Sequence, residues 1–227
     1  GVFQEYVAHE AGLCFKLPDN VSTMEGALIE PLAVGFHAAN LGEAHIGQTA
    51  VVTGSGCIGL VSLLAMKAMG VSRVYVVDVI EARLRKALEC GADGVINGRT
   101  ADVVQEVMRL TGGRGTDLVI ETAGTEATTR QAIQMAKKGS TIVLVGLGAS
   151  GEMTLPMTAA INKELTFKSI CRYRHCYPMA IDAVATGRIN IRGIVTNEFA
   201  FDDLPEALDI CINNKDEVVK GVVRVAD

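Results

Sequence analysis

The chain has 227 residues, 49% of them hydrophobic and 21% charged, which supplies a large buried core and excludes disordered, collagen-like and coiled-coil chains. Twenty-one Lys and Arg stand against 26 Asp and Glu, a net charge of −5, so no basic face is offered to nucleic acid and no polybasic run to an anionic membrane surface. Aromatics are only 4% and Trp is absent, and short Val/Ile runs alternate with Ala/Leu-rich stretches, a pattern suited to a buried parallel sheet under helices.

The chain opens on Gly1 inside a strand-like run (Val2, Phe3, Glu5, Tyr6, Val7), which suggests a piece of a longer protein. Residues 1–34 show strand and loop patterns without a βα rhythm. From Ala44 to Met66 no Asp, Glu, Lys or Arg occurs, long enough to raise a membrane span. His45, Gln48, Thr49 and the Gly54 to Gly59 loop interrupt it, so the stretch reads as a strand, a turn and a buried helix.

A regular βα alternation then follows. Strands are expected at 50–53, 74–77, 95–96, 117–121, 141–145 and 165–170. Helices are expected at 58–69, 81–90, 102–110 and 126–136, several of them stopped by glycine. Two βαβαβ halves of this kind predict a doubly wound α/β domain over 35–170, a Rossmann domain with strand order 3-2-1-4-5-6. The segment 171–227 carries helices at 179–186 and 204–213 and short strands at 194–196 and 222–225. With residues 1–34 it is expected to form a second, incomplete domain.

The most specific motif is Gly54-Ser55-Gly56-Cys57-Ile58-Gly59. It follows a strand, opens a helix and precedes Asp78, which ends the next strand, so the contextual tests for a dinucleotide-binding turn are met. Gly54 permits the tight turn, Gly56 lets backbone approach a pyrophosphate, and Gly59 lets helix and strand pack closely. Asp78 is placed to accept from the adenosine ribose, favouring NAD over NADP, or else to cap the following helix. Arg83 either flanks the ribose or is a solvated charge. Cys57 is either a small apolar filler or a thiol made acidic by the helix N-terminus.

Glu30 is a carboxylate inside an apolar run, costly to bury unless paired or metal-bound. His37 reads as a core or surface histidine. Val145-Gly146-Leu147-Gly148 and Glu121-Thr122-Ala123-Gly124 end two strands with glycines that admit a dinucleotide or merely close turns. After the sixth strand, Cys171 to Tyr177 offers a polar wall for a hydroxyl-rich ligand, or a solvated turn. The six cysteines (14, 57, 90, 171, 176 and 211) show neither CxxC nor zinc-ribbon spacing. They point to reduced thiols and, with no signal or transit peptide pattern, to a cytoplasmic location.

Together these motifs, with Lys16 to Asn20 (KLPDN) and Gly26 to Gly35 (GALIEPLAVG), resemble the medium-chain dehydrogenase/reductase superfamily. The zinc-dependent polyol branch, the sorbitol dehydrogenases, fits best, and the flanking segments would then be remnants of a GroES-like catalytic domain. The resemblance implies that Glu30 stands beside a catalytic zinc, directly or through water. It implies NAD contacts at Ile58, Asp78, Arg83, Val145, Gly146, Leu147, Ile170, Cys171 and Arg172. It implies substrate contacts at Arg172 and Tyr173, so that Glu30, Arg172 and Tyr173 form the catalytic set. The family's remaining zinc ligands have no counterpart in this sequence, so the chain is expected to bind NAD without turning over. The implied activity is oxidation of a polyol's secondary alcohol to a ketose, with a homodimer or homotetramer formed through the sixth strand. A non-catalytic NAD-binding module, another zinc-dependent alcohol, threonine or butanediol dehydrogenase, and a methyltransferase are the alternatives. The second βαβαβ half speaks against the last.

Overall fold

The computed structural model describes residues 3–148, 151–214 and 216–225. Its centre is a parallel six-stranded sheet in the order β3-β2-β1-β4-β5-β6, as the sequence pattern predicts. The strands are β1 (Thr49–Thr53), β2 (Arg73–Asp78), β3 (Gly94–Asn97), β4 (Thr116–Glu121), β5 (Ala136–Leu144) and β6 (Thr166–Ser169). The helices between them are α2 (Cys57–Ala68), α3 (Glu81–Glu89), α4 (Val103–Leu110), α5 (Glu126–Met135) and α6 (Met157–Asn162). Side chains alternate across each strand, so one core is built on each face. Val52, Val76, Leu118, Ile120 and Val143 pack on one face with α2. Val51, Tyr75, Val77, Val119 and Ile142 pack on the other, beneath α4 and α5.

The expected strands and loops of residues 1–34 give way to a helix. Residues 3–10 form no strand, and α1 spans Thr23–Leu41, across the boundary expected at 34/35. Gly1 and Val2 lie outside the described residues. Two features hide α1 in the sequence. Its apolar residues (Leu28, Ile29, Leu32, Ala33, Phe36, Ala38) leave no clear polar face, and Pro31 reads as a breaker. The helix persists because burial outweighs the missing hydrogen bond. Gly35 lies so close to α2 that a Cβ there would stand 2.4 Å from the Val61 carbonyl oxygen. A capping box starts the helix: Ser22 Oγ accepts from the Glu25 N–H, and Glu25 Oε2 accepts from the Ser22 N–H at 2.8 Å.

After β6, α7 (Tyr177–Ala185) packs on α1, and α8 (Leu204–Asn213) precedes β8 (Gly221–Arg224). The strand expected at 194–196 is instead a 3-10 turn over Ile191–Ile194, followed by β7 (Asn197–Ala200). Ile191 and Ile194 are both fully buried, and their three-residue spacing suits a 3-10 turn, where such positions eclipse, better than an alternating strand. β7 and β8 pair in parallel as a separate two-stranded sheet. A groove of about 820 Å³ runs between this sheet and the start of α1, lined by Ser22, Met24, Ala27, Phe199, Val222 and Arg224 among others. All six cysteines are free. Among the described residues no helix is long and apolar enough to cross a membrane.

Candidate dinucleotide site

The strands are parallel, so every carboxyl end lies on one edge of the sheet. The order reverses between β1 and β4, the switch point at which an open α/β sheet forms its ligand crevice. Gly54 ends β1 with φ +95°, a left-handed conformation that favours glycine, and its N–H donates to the Val77 carbonyl at 2.7 Å. A Cβ on Gly59 would stand 1.8 Å from the Gly54 carbonyl oxygen, so only glycine lets α2 begin so close to the turn. Gly56 is the N-cap of α2, and no side chain caps that end. The first-turn N–H groups, Ile58 among them, thus face the crevice side as an anion-binding terminus.

Asp78 does more than its sequence position suggests. Its Oδ2 accepts from the Ser55 N–H at 2.6 Å, and its Oδ1 accepts from Val79 N (2.7 Å) and Ile80 N (3.0 Å). It therefore holds the glycine loop against the end of β2. The capping alternative is corrected: the N-cap of α3 is Ile80. A carboxylate has about four acceptor positions, so three bonds leave room for one further donor. The Arg83 guanidinium reaches over the same loop, with Nη1 3.9 Å from where a Gly56 Cβ would sit. Its carbonyl accepts from Ser55 Oγ at 2.8 Å.

The second half of the sheet contributes two interlocked turns. The Thr122 hydroxyl donates to the carbonyls of Thr53 (2.8 Å) and Gly54 (3.2 Å), tying β4 to the glycine loop. Val145 and Gly146 both donate backbone N–H groups to the Glu121 carbonyl. A Cβ on Gly146 would stand 2.2 Å from Gly124 N, so that glycine is required by close backbone approach. Leu147 projects from this turn with 93% of its surface exposed, beside the crevice. Beneath it lies Glu121, only 1% exposed, whose chemistry the sequence reading did not single out.

The loop after β6 brings Ile170, Cys171 and Arg172 to the same edge. The Ile170 N–H donates to the Leu144 carbonyl at 3.1 Å, and Cys171 and Arg172 are exposed. Arg172 has φ +66°, so the loop turns sharply there. Tyr173 packs edge-on against Tyr177 with hydroxyls 3.2 Å apart, and Phe15 stacks on Tyr177 at 5.0 Å. Burial, followed by the Tyr173 hydroxyl, pushes the Tyr177 phenol well above its ordinary value. Glu30 stands on α1, which packs against both α2 and α7. The structure gathers Phe15, Tyr173 and Tyr177. Tyr177 belongs to the polar stretch expected after the sixth strand; Phe15 was not anticipated, because it meets Tyr177 only in the folded chain.

Three expectations are refined. Glu30 is exposed, so it carries no burial cost demanding a partner. The Cys57 thiol is pushed up by burial, against the acidic-thiol reading and in favour of the filler. His37 is held down by burial and by the Arg174 charge, which suits a neutral ring. Among the described residues no three His, Cys, Asp or Glu side chains come together as a metal site. A nicotinamide dinucleotide fits the glycine loop and strand ends. A zinc ion, which needs about four ligands, does not fit the residues described.

A zinc-binding dehydrogenase family profile matches residues 57–186. Bovine (Bos taurus) sorbitol dehydrogenase is 41% identical over 90% of this chain and 58% of its own length. An Escherichia coli oxidoreductase of unknown specificity superimposes with TM-score 0.92 at 39% identity, over 96% of this chain and 62% of that one. An E. coli alcohol dehydrogenase in complex with NADH superimposes with TM-score 0.87 at 26% identity, over 94% of this chain and 63% of that one. The chain therefore spans about six-tenths of the length of these relatives. With the matched profile running from the start of α2 through the loop after β6 and into α7, and relatives near 40% identity, the chain belongs to the zinc-binding dehydrogenases of the medium-chain dehydrogenase/reductase superfamily.

Proposed function

We propose that this chain is the NAD-binding part of a dehydrogenase that oxidises a secondary alcohol of a polyol to a ketose. The observation that carries the reading is the glycine loop with its uncapped α2 terminus, held by the Asp78 carboxylate at the end of β2. In this reading Gly54, Gly56, Ile58 and Gly59 receive the pyrophosphate, and Asp78 uses its remaining acceptor capacity on the ribose. A 2′-phosphate would meet the Asp78 charge, which favours NAD, while Arg83 and Arg85 leave a lesser opening for NADP. Val145, Gly146, Leu147, Ile170, Cys171 and Arg172 line the nicotinamide half. When bound, the nicotinamide supplies the hydride acceptor. Arg172 and Tyr173 orient substrate hydroxyls, with Glu30 beside them.

The described residues contribute one carboxylate and no further ligand set on the substrate side, so this chain's own share of the reaction is cofactor binding. It is therefore proposed to bind NADH without oxidising a polyol by itself. The exposed edge of β6 supports pairing with a second copy, and the free cysteines support a cytoplasmic setting. Calorimetric titration with NADH, NADPH and S-adenosylmethionine tests the reading, followed by an assay of NADH formation with excess sorbitol. Saturable NADH binding, weaker NADPH binding and no turnover are expected. Equal NADPH binding overturns the cofactor preference. Binding of S-adenosylmethionine alone overturns the dehydrogenase reading, and robust turnover overturns the division of labour.

A further inference from the structure

Glu121 is a buried carboxylate at the centre of the switch point. It pairs in register with Thr53 at the carboxyl ends of β4 and β1, the two strands between which the crevice opens. Its oxygens accept from Thr128 Oγ1 (2.8 Å), Ala123 N (3.0 Å), Gly124 N (3.1 Å to each oxygen) and Thr53 Oγ1 (3.3 Å). The Ala123 and Gly124 N–H groups can only donate and the two threonine hydroxyls can do so, a shell that suits a carboxylate. All the donors are neutral, and among the described residues no salt bridge reaches Glu121. The carboxyl group is 1% exposed and is held by neutral dipoles rather than by a cation among the described residues.

Its position gives that charge a target. In a doubly wound sheet each half takes one end of the dinucleotide. Asp78 and the glycine loop place the adenosine end over β1–β3, so the nicotinamide end falls to β4–β6, on the turns that Glu121 organises. Ala123 is exposed and Leu147 almost fully so, while buried Glu121 takes the Ala123 N–H on its carboxylate and the Val145 and Gly146 N–H groups on its carbonyl. The oxidised nicotinamide ring carries a positive charge and the reduced ring none.

We propose that Glu121 sets the redox preference of the bound cofactor, its buried charge favouring the cationic oxidised ring over the neutral reduced one. The inference rests on the NAD-binding reading above. The structural work of Glu121, organising the 122–124 turn, supports both cofactor forms alike. The charge discriminates between them, because Coulomb attraction acts on the cation only. A ligand shifts an equilibrium only through such differential affinity.

The ratio of the NAD+ and NADH dissociation constants is the readout. In Glu121→Gln it should move about tenfold toward NADH relative to the unmodified chain, on the scale expected for one charge acting across a protein interior. Thr128→Val removes a neutral donor and leaves the charge, so it should weaken both forms and leave the ratio unmoved. A second measurement needs no variant. The unmodified chain should bind NAD+ about tenfold more tightly than benzamide adenine dinucleotide, whose carbon-linked ring is uncharged. Glu121→Gln weakening both forms equally, or equal binding of NAD+ and the uncharged analogue, overturns the proposal while leaving the NAD-binding reading intact. Failure of the unmodified chain to bind either nicotinamide form overturns both.

Discussion

The six-stranded body and the β7–β8 unit are both parallel sheets, yet they are held together differently. In the body, β1, β2 and β4 are covered on both faces, and neighbouring turns touch through backbone atoms, as at Gly59 against Gly54 and Gly146 against Gly124. β7 and β8 are four residues each, half-exposed or exposed at every position, with α8 against them through side chains and a groove beside them. Close packing through backbone leaves no soft coordinate to absorb a change. Packing through side-chain tips does. The body should therefore be unforgiving and the β7–β8 unit tolerant, even to the same substitution.

Paired glycine replacements give the sharpest break. Gly59→Ala drives a Cβ to within 1.8 Å of a carbonyl oxygen. It should cost about 3 kcal/mol or more of stability, with cofactor binding abolished. At Gly221 the new Cβ meets the Cys211 Sγ at 2.8 Å and the Phe199 ring at 3.1 Å, atoms that can move. Gly221→Ala should cost only about 1 kcal/mol. Denaturant midpoints of the two variants decide it, and equal costs would erase the distinction between the regions.

An intermediate effect is expected from Asp78→Ala. It removes three hydrogen bonds that anchor the glycine loop and one prospective ribose acceptor. NADH binding should weaken by roughly 1.5–3 kcal/mol, with a narrowed margin over NADPH. Calorimetry that shows unchanged affinity would mean the loop holds its shape without the carboxylate.

The smallest effect lies where the two regions meet, at the start of α1 beside the β7–β8 groove. Ser22→Ala should cost about 1 kcal/mol by removing the cap. The Ser22 hydroxyl, and then its backbone N–H, hold the Glu25 carboxyl below its ordinary value of 4.5. A lowered carboxyl contributes stability above its unfolded value and loses it as pH falls through the folded one. The stability gap between the unmodified chain and Glu25→Gln should therefore be full near neutrality and narrow as pH drops below 4.5. A gap that stays constant down to acid pH would show that the capping box contributes no charge-dependent stability.

The glycine loop and the strand order were legible because their determinants are local. Gly54 and Gly59 each answer a backbone constraint met within a few residues, and the βα alternation repeats without interruption from β1 to β5. Helix α1 was illegible because its signal is tertiary. A helix whose apolar residues leave no clear polar face, with Pro31 and a glycine facing α2, looks like neither amphipathic helix nor strand until α2 and α7 are in place around it. β7 was misplaced by three residues for a related reason, since Ile191 and Ile194 turn inward only against a core already formed.

The same division runs through the site. Residue type and spacing determined that a phosphate-binding turn follows β1 and that an acid ends β2. Only the folded chain decided that this acid spends three hydrogen bonds on the loop itself, that Tyr177 and Phe15 stack on one another, and that Glu121 is buried among neutral donors at the switch point. Short-range backbone requirements are written into adjacent residues. Burial and charge compensation depend on neighbours more than 50 residues away in sequence, as between Thr53 and Glu121, and they exist only once the sheet has closed around them.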